Sequence, residues 1–352
     1  MKIHPQDVLK ALSGVTEESG RDVVSLGRVA DLEVGDQRVQ FTLQLPGPPS
    51  PAQHSLVEKA RSAVKALDVA EVQIHVAAAP GAASKPQASL IPGVKSTVAV
   101  ASGKGGVGKS TVAVNLAVAL HREGAEVGLM DSDVYGPSVP HLMGSRNGPE
   151  VVEGKIAPPA EYGIKMISMA YFLPPDEAVI WRGPMLHKAI HQFLGDVRWG
   201  ELDYLVIDLP PGTGDIQISL SQTIPLTGAV IVSTPQDLAL GVAAKAIAMF
   251  QKLNVPILGV VENMSYYICP HCGQRDEIFG HGGARAAAEK MRFPFLGEIP
   301  LDIHIRKMSD HGKPVALDAA TPGGKAFQEL ARAVRIQAEL LAGQAEQEIR
   351  IE

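Results

Sequence analysis

A glycine-rich stretch that ends in a lysine and a serine is the strongest chemical signal in the sequence. It runs from Gly103 to Ser110 and reads GKGGVGKS, which fits the phosphate-loop pattern of Gly, four residues, Gly, Lys and Ser or Thr. Glycines let the backbone bend sharply and turn its N–H groups toward a phosphate. The apolar run 97–101 precedes the stretch and a helical pattern follows it from Thr111, which is the strand-to-helix setting that phosphate binding needs. The stretch therefore predicts a nucleotide site.

The residue types in this loop predict individual roles. Lys109 should reach the outer phosphates, and the Ser110 hydroxyl should ligate Mg²⁺. Backbone N–H groups over 105–109 should hold phosphate oxygens. The candidate nucleotide-binding residues are Gly103, Lys104, Gly105, Gly106, Val107, Gly108, Lys109, Ser110 and Thr111.

Aspartates follow two further apolar runs. Asp131-Ser132-Asp133 comes after the run 127–130, and Asp208 comes after the run 204–207. Carboxylates at the C-terminal ends of parallel strands face the crevice where open α/β sheets bind ligands. Phosphoryl transfer needs little beyond positioning and charge neutralisation. The alternative role is a helix cap, which suits Asp215 better than Asp208.

The two cysteines of the chain, Cys269 and Cys272, stand three positions apart. Such a pair could be a redox dithiol, half of a zinc site or half of an iron–sulfur ligand set, or simply two unliganded thiols. A redox role is disfavoured because no thioredoxin-like pattern surrounds the pair. Two-fold symmetry would supply two more thiolates if the pair lies near a dimer axis, whereas His271 or His281 could complete a Cys₂His₂ zinc site within one chain. Ligand chemistry leaves zinc and an iron–sulfur cluster both open.

The elements around these residues predict an α/β protein with two domains. Residues 1–78 alternate as helix, strand, strand, helix, strand, and residues 79–95 are rich in Pro, Ala and Gly and indicate a linker. Over 96–345, near-continuous apolar strands alternate with helical patterns, which predicts a mostly parallel sheet with helices on both faces. A last packing helix is expected over about 324–341, and residues 346–352 form an acidic tail.

Composition and charge exclude several classes of protein. A net charge of −6 over 352 residues gives no general attraction to nucleic acid or anionic lipid, so neither is expected as a partner. No run of about 18 apolar residues and no apolar signal core occur, and two cysteines are no disulfide framework. A cytoplasmic protein is expected.

Lys104, one residue after the first glycine, has no role in an ordinary phosphate loop. With it, the loop resembles the deviant Walker A motif of the MinD/ParA/nitrogenase-iron-protein superfamily, in which this lysine reaches the nucleotide of the opposite subunit; the alternative is a solvated lysine. The resemblance implies a slow, Mg²⁺-dependent ATPase that forms a homodimer. It also implies that Asp208 holds Mg²⁺ through water, that Asp133 positions the attacking water and that Asn263 contacts adenine. The predicted catalytic residues are Lys104, Lys109, Asp133 and Asp208.

Longer motifs are similar to those of the Mrp/ApbC family of iron–sulfur cluster carrier ATPases. The matching stretches are 103–111, 131–138, 181–185, 208–215 and 263–266, the last leading into the cysteine pair. The resemblance implies that a homodimer holds a labile [4Fe–4S] cluster between the Cys269 and Cys272 pairs of its two chains. Apo iron–sulfur target proteins would receive the cluster, and assembly scaffold proteins are expected as further partners. The N-terminal unit is similar to iron–sulfur maturation factors but has no cysteine, so target docking is its expected role.

Two other functions fit part of these observations. A MinD/ParA-like positioning ATPase needs an anchor such as a basic amphipathic tail or a basic surface, whereas the C-terminus from Glu339 to Glu352 is acidic. A scaffold whose zinc holds a dimer together and whose ATP regulates assembly would be colourless, while a cluster carrier would be brown.

Overall fold

The structure, a computed structural model, describes residues 4–16, 22–35, 38–45, 51–67, 69, 71–78, 90–172, 183–238 and 242–351. The chain forms two compact units, Met1–Ala88 and Ser89–Glu352. Residues 79–89 of the predicted linker, and Trp181 and Arg182 of the motif 181–185, lie outside the described residues.

The smaller unit has the element order that the sequence predicts. Its elements are α1 (Pro5–Leu12), β1 (Val29–Val34), β2 (Arg38–Leu45), α2 (Pro51–Lys65) and β3 (Glu71–Ala78). Strand β2 lies between the other two, antiparallel to β1 and parallel to β3. The alternating apolar residues Val39, Phe41 and Leu43 are fully buried in the core of this unit, because successive side chains of a strand point to opposite faces.

The larger unit alternates strands and helices. Its strands are β4 (Val94–Ala101), β5 (Val127–Asp131), β6 (Glu150–Val152), β7 (Lys155–Ala157), β8 (Ala160–Glu161), β9 (Ile164–Ser168), β10 (Leu202–Asp208), β11 (Gly228–Ser233), β12 (Ile257–Glu262), β13 (Tyr267–Ile268), β14 (Arg275–Asp276) and β15 (Phe295–Glu298). Its helices are α3 (Lys109–Arg122), α4 (Val139–Met143), α5 (Gly183–Gly195), α6 (Asp215–Thr223), α7 (Val242–Lys252), α8 (Gly283–Met291), α9 (Ile303–Asp310) and α10 (Pro322–Ile351).

Eight of these strands form one sheet in the order β15-β12-β11-β4-β10-β5-β9-β8. Seven run parallel, and β8 is the antiparallel edge. Both faces are covered: Val98 and Val100 pack with side chains of α3 and α10, while Ala99 and Ala101 pack with side chains of α5 and α7. The predicted fold class, a mostly parallel sheet between two layers of helices with a small α/β unit before it, is confirmed.

Helix α10 is longer than its apolar pattern predicts. The pattern ends at Leu341, but the helix continues to Ile351 and includes most of the acidic stretch. Residues 342–351 are mainly Ala, Gln and Glu, which favour helix without needing a packing partner. No helix in the described part of the chain is long and apolar enough to cross a membrane.

Candidate functional site

The phosphate loop connects β4 to α3 and leaves one side open. Gly106 and Gly108 have φ of +80° and +78°, a conformation that other residues rarely adopt. A Cβ added at Gly105 or Gly106 would meet nothing within 4 Å. Because α3 begins at Lys109, its unpaired N–H groups and the positive end of its dipole lie at this open side. The loop can therefore receive a phosphate.

Strand register brings the predicted acidic residues to the loop. Asp208 and Asp131 are directly paired positions of β10 and β5. Lys109 Nζ lies 2.5 Å from Oδ1 of Asp208, 3.6 Å from Oδ2 of Asp133 and 3.3 Å from the Ser110 hydroxyl. Lys109 and Asp208 are almost completely buried. The structure thus places Lys109, Ser110, Asp133 and Asp208 in one cluster at the C-terminal edge of the sheet.

The Asp208 carboxylate is incompletely satisfied. Burial raises its pKa, and the Lys109 ammonium opposes that rise. Its Oδ2 atom is buried and has no hydrogen-bond partner among the described residues, although buried carboxylate oxygens normally have one. A water molecule held by Mg²⁺ would supply the missing donor, so the residues present fit a magnesium-bound nucleotide.

Asp131 has a structural role that the sequence interpretation missed. Its Oδ2 accepts hydrogen bonds from the N–H groups of Ser138 (3.1 Å) and Val139 (3.2 Å) and from the Ser168 hydroxyl (2.9 Å), and its Oδ1 accepts one from the N–H of Asp133 (3.1 Å). Burial, and then the neighbouring charge of Asp208, raise its pKa to about 7. Asp131 therefore fixes the loop that carries Asp133. The sequence signal for this role was a second carboxylate, two residues before Asp133, at the end of a buried strand.

Asp133 faces two ways. Its Oδ1 accepts the N–H groups of Tyr135 and Gly136, both at 3.3 Å, and its Oδ2 is the atom near Lys109. The carboxylate is thus held beside the open phosphate loop. Its predicted role in positioning water remains a prediction.

Asn263 supports the loop from behind. Its side-chain amide donates to the Val107 carbonyl at 2.8 Å and is 6% exposed. A Cβ on Gly108 would lie 2.3 Å from the Asn263 Nδ2 atom, so loop and asparagine are in close contact. Adenine binding by Asn263 remains a prediction, as does the role of the exposed Lys104 toward a second subunit.

The cysteine pair lies in a small hairpin of β13 and β14. The N–H of Cys269 donates to the Gln274 carbonyl at 2.9 Å, and the N–H of Gly273 donates to the Cys269 carbonyl at 2.8 Å. Cys272 is exposed and Cys269 is half-buried. Hydrogen bonds from the N–H groups of Cys272 and His271, and from the Cys272 side chain, lower the pKa of the Cys269 thiol. They favour the thiolate, which is the metal-binding form.

Histidine does not complete a metal site in the described part of the chain. No group of three or more His, Cys, Asp or Glu side chains there could hold a metal ion. The His281 ring instead lies 3.0 Å from the Arg275 guanidinium and 3.3 Å from the Ser265 hydroxyl. The Cys₂His₂ alternative within one chain therefore finds no support, and a four-ligand site needs ligands from elsewhere.

Glu262, the last residue of β12, is a second buried carboxylate that the sequence interpretation missed. It accepts hydrogen bonds from the Ser265 hydroxyl (2.6 Å) and from the N–H groups of Gly282 (3.1 Å) and Ala284 (2.7 Å). It thereby fixes the start of α8 to the end of β12. Its position directly before Asn263 was the available signal.

Comparisons with known proteins cover both units. Residues 93–335 match the family model described as NUBPL iron-transfer P-loop NTPase, and residues 5–76 match a family described as iron-sulfur cluster assembly protein. An iron-sulfur cluster carrier protein of Deinococcus radiodurans is 50% identical over 341 residues, which are 96% of this chain and 94% of that protein. An Arabidopsis thaliana protein, described as iron-sulfur protein required for NADH dehydrogenase, mitochondrial, is 53% identical over 69% of this chain and 78% of its own length.

Solved structures resemble the larger unit. A nucleotide-binding protein from Archaeoglobus fulgidus in complex with ADP shares 43% identity with a TM-score of 0.59, covering 64% of this chain and 90% of that one. The cell division ATPase MinD of Pyrococcus furiosus shares 23% identity with a TM-score of 0.51, covering 68% of this chain and 98% of that one, and shows likeness of fold alone.

Proposed function

The chain belongs to the NUBPL-type iron-transfer P-loop NTPase family, and from this premise we propose that it is an ATP-hydrolysing carrier of iron–sulfur clusters. The observation that carries the proposal is the presence of two kinds of binding group after the C-terminal ends of the parallel strands. A phosphate loop lies among buried carboxylates, and a hairpin with a thiolate-favouring cysteine pair follows β12. The first suits a nucleotide and the second suits a metal cargo.

ATP with Mg²⁺ fits the first part of the site. The backbone of the loop and the Ser110 hydroxyl would hold phosphate and metal, and Asp208 would contact the metal through water. Mg²⁺ would supply neutralisation of the phosphate charge. Lys109 now contacts Asp208, and a bound phosphate would compete with that carboxylate for the ammonium group. Asp133 would hold the attacking water.

A [4Fe–4S] cluster is the cargo we propose for the hairpin. One chain supplies two cysteines, and such a cluster takes four thiolates. A homodimer with the hairpins at its two-fold axis would supply all four, and Lys104 would then face the nucleotide of the second copy. Assembly scaffold proteins would deliver the cluster and apo iron–sulfur proteins would receive it. We propose the cytoplasm as the place of this transfer, since thiols stay reduced there.

Anaerobic reconstitution tests the carrier function. Protein treated with ferrous iron, sulfide and a reductant should turn brown, with broad absorbance near about 400 nm and about two irons and two sulfides per chain. Its elution in size-exclusion chromatography with light scattering should be that of a dimer. Cys269→Ser and Cys272→Ser should each abolish the absorbance and leave ATP hydrolysis unchanged. Colourless protein with one zinc per two chains would instead support the zinc-bound scaffold.

Transfer is measured separately. The reconstituted protein should restore activity to an apo-enzyme that needs a [4Fe–4S] cluster, and a chelator added beforehand should not intercept the cluster. Lys109→Ala should abolish nucleotide binding and make transfer independent of ATP. If transfer by the parent protein is itself indifferent to nucleotide, the two parts of the site act independently and the coupling of ATP to transfer is wrong.

A further inference from the structure

A path of hydrogen bonds, with one step along the backbone from Asn263 to Glu262, leads from the phosphate loop to the cysteine hairpin. Its first contact is the amide of Asn263 on the Val107 carbonyl, at 2.8 Å. Gly108 leaves no room behind the loop, since an added Cβ would lie 2.3 Å from that amide. Closely packed groups cannot move independently. A rearrangement of the loop must therefore displace the end of β12.

Glu262 is the second step of the path. It precedes Asn263, is fully buried, and holds both the Ser265 hydroxyl and the N-terminus of α8 through three hydrogen bonds. A buried carboxylate bonded this way fixes its neighbours, because breaking any of the bonds leaves a buried polar group unpaired. Movement at the end of β12 is thereby transmitted to Ser265 and to the residues just before α8.

His281 is the third step. It lies just before α8. Because the Ser265 hydroxyl gives its proton to Glu262, the His281 Nδ1–H donates to the Ser265 oxygen at 3.3 Å, and Nε2 accepts from the Arg275 guanidinium at 3.3 Å. The ring is about a third exposed, so the path comes to the surface here. His281 thus connects the interior of the sheet with the hairpin.

Arg275 is the last step, and it belongs to the hairpin itself. It is the β14 partner of Ile268, which immediately precedes Cys269. Its guanidinium group lies over the Tyr266 ring, 4.0 Å from the centroid. Arg275 therefore links β14 to Tyr266, just before β13, and to His281, just before α8.

We propose that His281 and Arg275 are positioning residues that transmit the state of the phosphate loop to the cysteine pair. Neither belongs to the phosphate loop or the cysteine pair, and both lie on a continuous physical path between them. The inference deepens the proposed function and rests on it, since it assigns the hairpin's cargo a dependence on nucleotide. Nucleotide can move the hairpin only as far as its affinities for the two arrangements differ.

Thiol labelling tests this path without any cluster. Because Cys269 and Cys272 are the only cysteines, the rate at which metal-free, reduced protein reacts with a thiol reagent reports on the hairpin alone. We expect ADP or a non-hydrolysable ATP analogue to change that rate in the parent protein by about fivefold or more, the usual range of coupling between sites. In His281→Asn and Arg275→Gln the change should fall below about twofold, while the nucleotide Kd stays within about twofold of the parent value.

Arg285→Gln is the matched control. Arg285 lies 3.5 Å from the same carboxylate, Glu298, that Arg275 contacts at 3.5 Å, and it stacks on Phe295. Glu298 also lies 3.7 Å from His281, so Arg285→Gln controls for the loss of a cation beside Glu298. It should keep the full nucleotide response. Urea unfolding of each variant, with His281→Gln as a second substitution of the histidine, separates a lost path from a lost fold.

Three results would overturn the proposal. They are a parent protein that binds nucleotide but labels at an unchanged rate, path variants that keep the full response, and an Arg285→Gln variant that loses as much as they do. Each leaves the carrier function intact if cluster reconstitution succeeds. Conversely, failure of reconstitution would overturn the carrier function while a nucleotide-sensitive labelling rate would still support the path.

Discussion

The buried contact between Lys109 and Asp208 predicts an unequal response to removal of its two partners. Lys109→Met takes away the cation that contacts Asp208 and Asp133, whereas Asp208→Asn leaves Lys109 beside Asp133. Breaking a buried ion pair by removing one partner costs about 3–5 kcal/mol when a charge is stranded. We therefore expect a loss of about 3–5 kcal/mol in the free energy of unfolding for Lys109→Met, and about 1–3 kcal/mol for Asp208→Asn.

The double variant measures the interaction itself. Once Lys109 is absent, Asp208→Asn removes a stranded charge, so the combined loss should be smaller than the sum of the single losses by about 1–3 kcal/mol. Lys95→Met is the matched control, because Lys95 forms an ion pair with Asp203 at 2.7 Å but is 73% exposed. Exposed pairs contribute little, and no measurable change is expected there.

The effect of pH on Lys109→Met follows from the direction of the Asp208 pKa. Burial raises that pKa and Lys109 lowers it, so removing the lysine raises it further. A carboxyl whose pKa is higher in the folded than in the unfolded state binds more protons when folded, and its contribution to stability falls as pH rises. The deficit of Lys109→Met relative to the parent should therefore be smaller at pH 5 than at pH 8.

Urea unfolding without nucleotide or metal, followed by tryptophan fluorescence, is the measurement. Both tryptophans, Trp181 and Trp199, belong to the larger unit, so the signal reports on the unit that carries the site. Equal losses for Lys109→Met and Asp208→Asn, additive losses in the double variant, or a deficit that does not change with pH would refute the electrostatic reasoning.

Three further predictions concern the larger unit. Gly108→Ala should weaken nucleotide binding about tenfold or more in calorimetry, because a left-handed backbone costs about 1–2 kcal/mol with a side chain and the new Cβ would press on Asn263; unchanged affinity would contradict the loop geometry. Asp131→Asn should gain stability relative to the parent by up to about 4 kcal/mol as pH rises from 4 to 7. The reason is that the raised pKa of Asp131 makes the parent take up a proton on folding in that window. Parallel plots of unfolding free energy against pH for the two proteins would count against this prediction. Gln217→Met should raise the free energy of unfolding by about 1 kcal/mol, because neither buried amide atom of Gln217 has a hydrogen-bond partner among the described residues. A destabilised variant would show that the amide is used.

Local chemistry made the nucleotide cluster predictable. The loop bends through positive φ at Gly106 and Gly108. Because glycine is the residue that adopts positive φ readily, the residue type itself predicts the bend. Asp133 and Asp208 could be expected near the loop because parallel strands end at the same edge of the sheet. Neither inference requires knowledge of distant contacts.

The interactions that fix the cluster could not be predicted, because their partners are far apart in the sequence. Ser168 bonds Asp131 across 37 positions, and Ala284 bonds Glu262 across 22. Strand β9, which carries Ser168, follows the short strands β6, β7 and β8 rather than a long helix. It therefore lacks the alternation of apolar strand and helical pattern from which the other parallel strands were predicted. His281 shows the opposite error, since its closeness to Cys272 in sequence suggested a ligand whereas the fold turns its ring toward Ser265.

The hairpin with Cys269 and Cys272 is an outgrowth of a single crossover. The chain leaves the sheet at the end of β12, forms β13 and β14, and returns through α8 to β15, the neighbouring parallel strand. No strand of the eight-stranded sheet depends on the hairpin for its place in the order. A different metal-binding turn, or none, could therefore occupy this crossover without a change of topology, which makes the cysteine turn separable from the sheet that carries the phosphate loop.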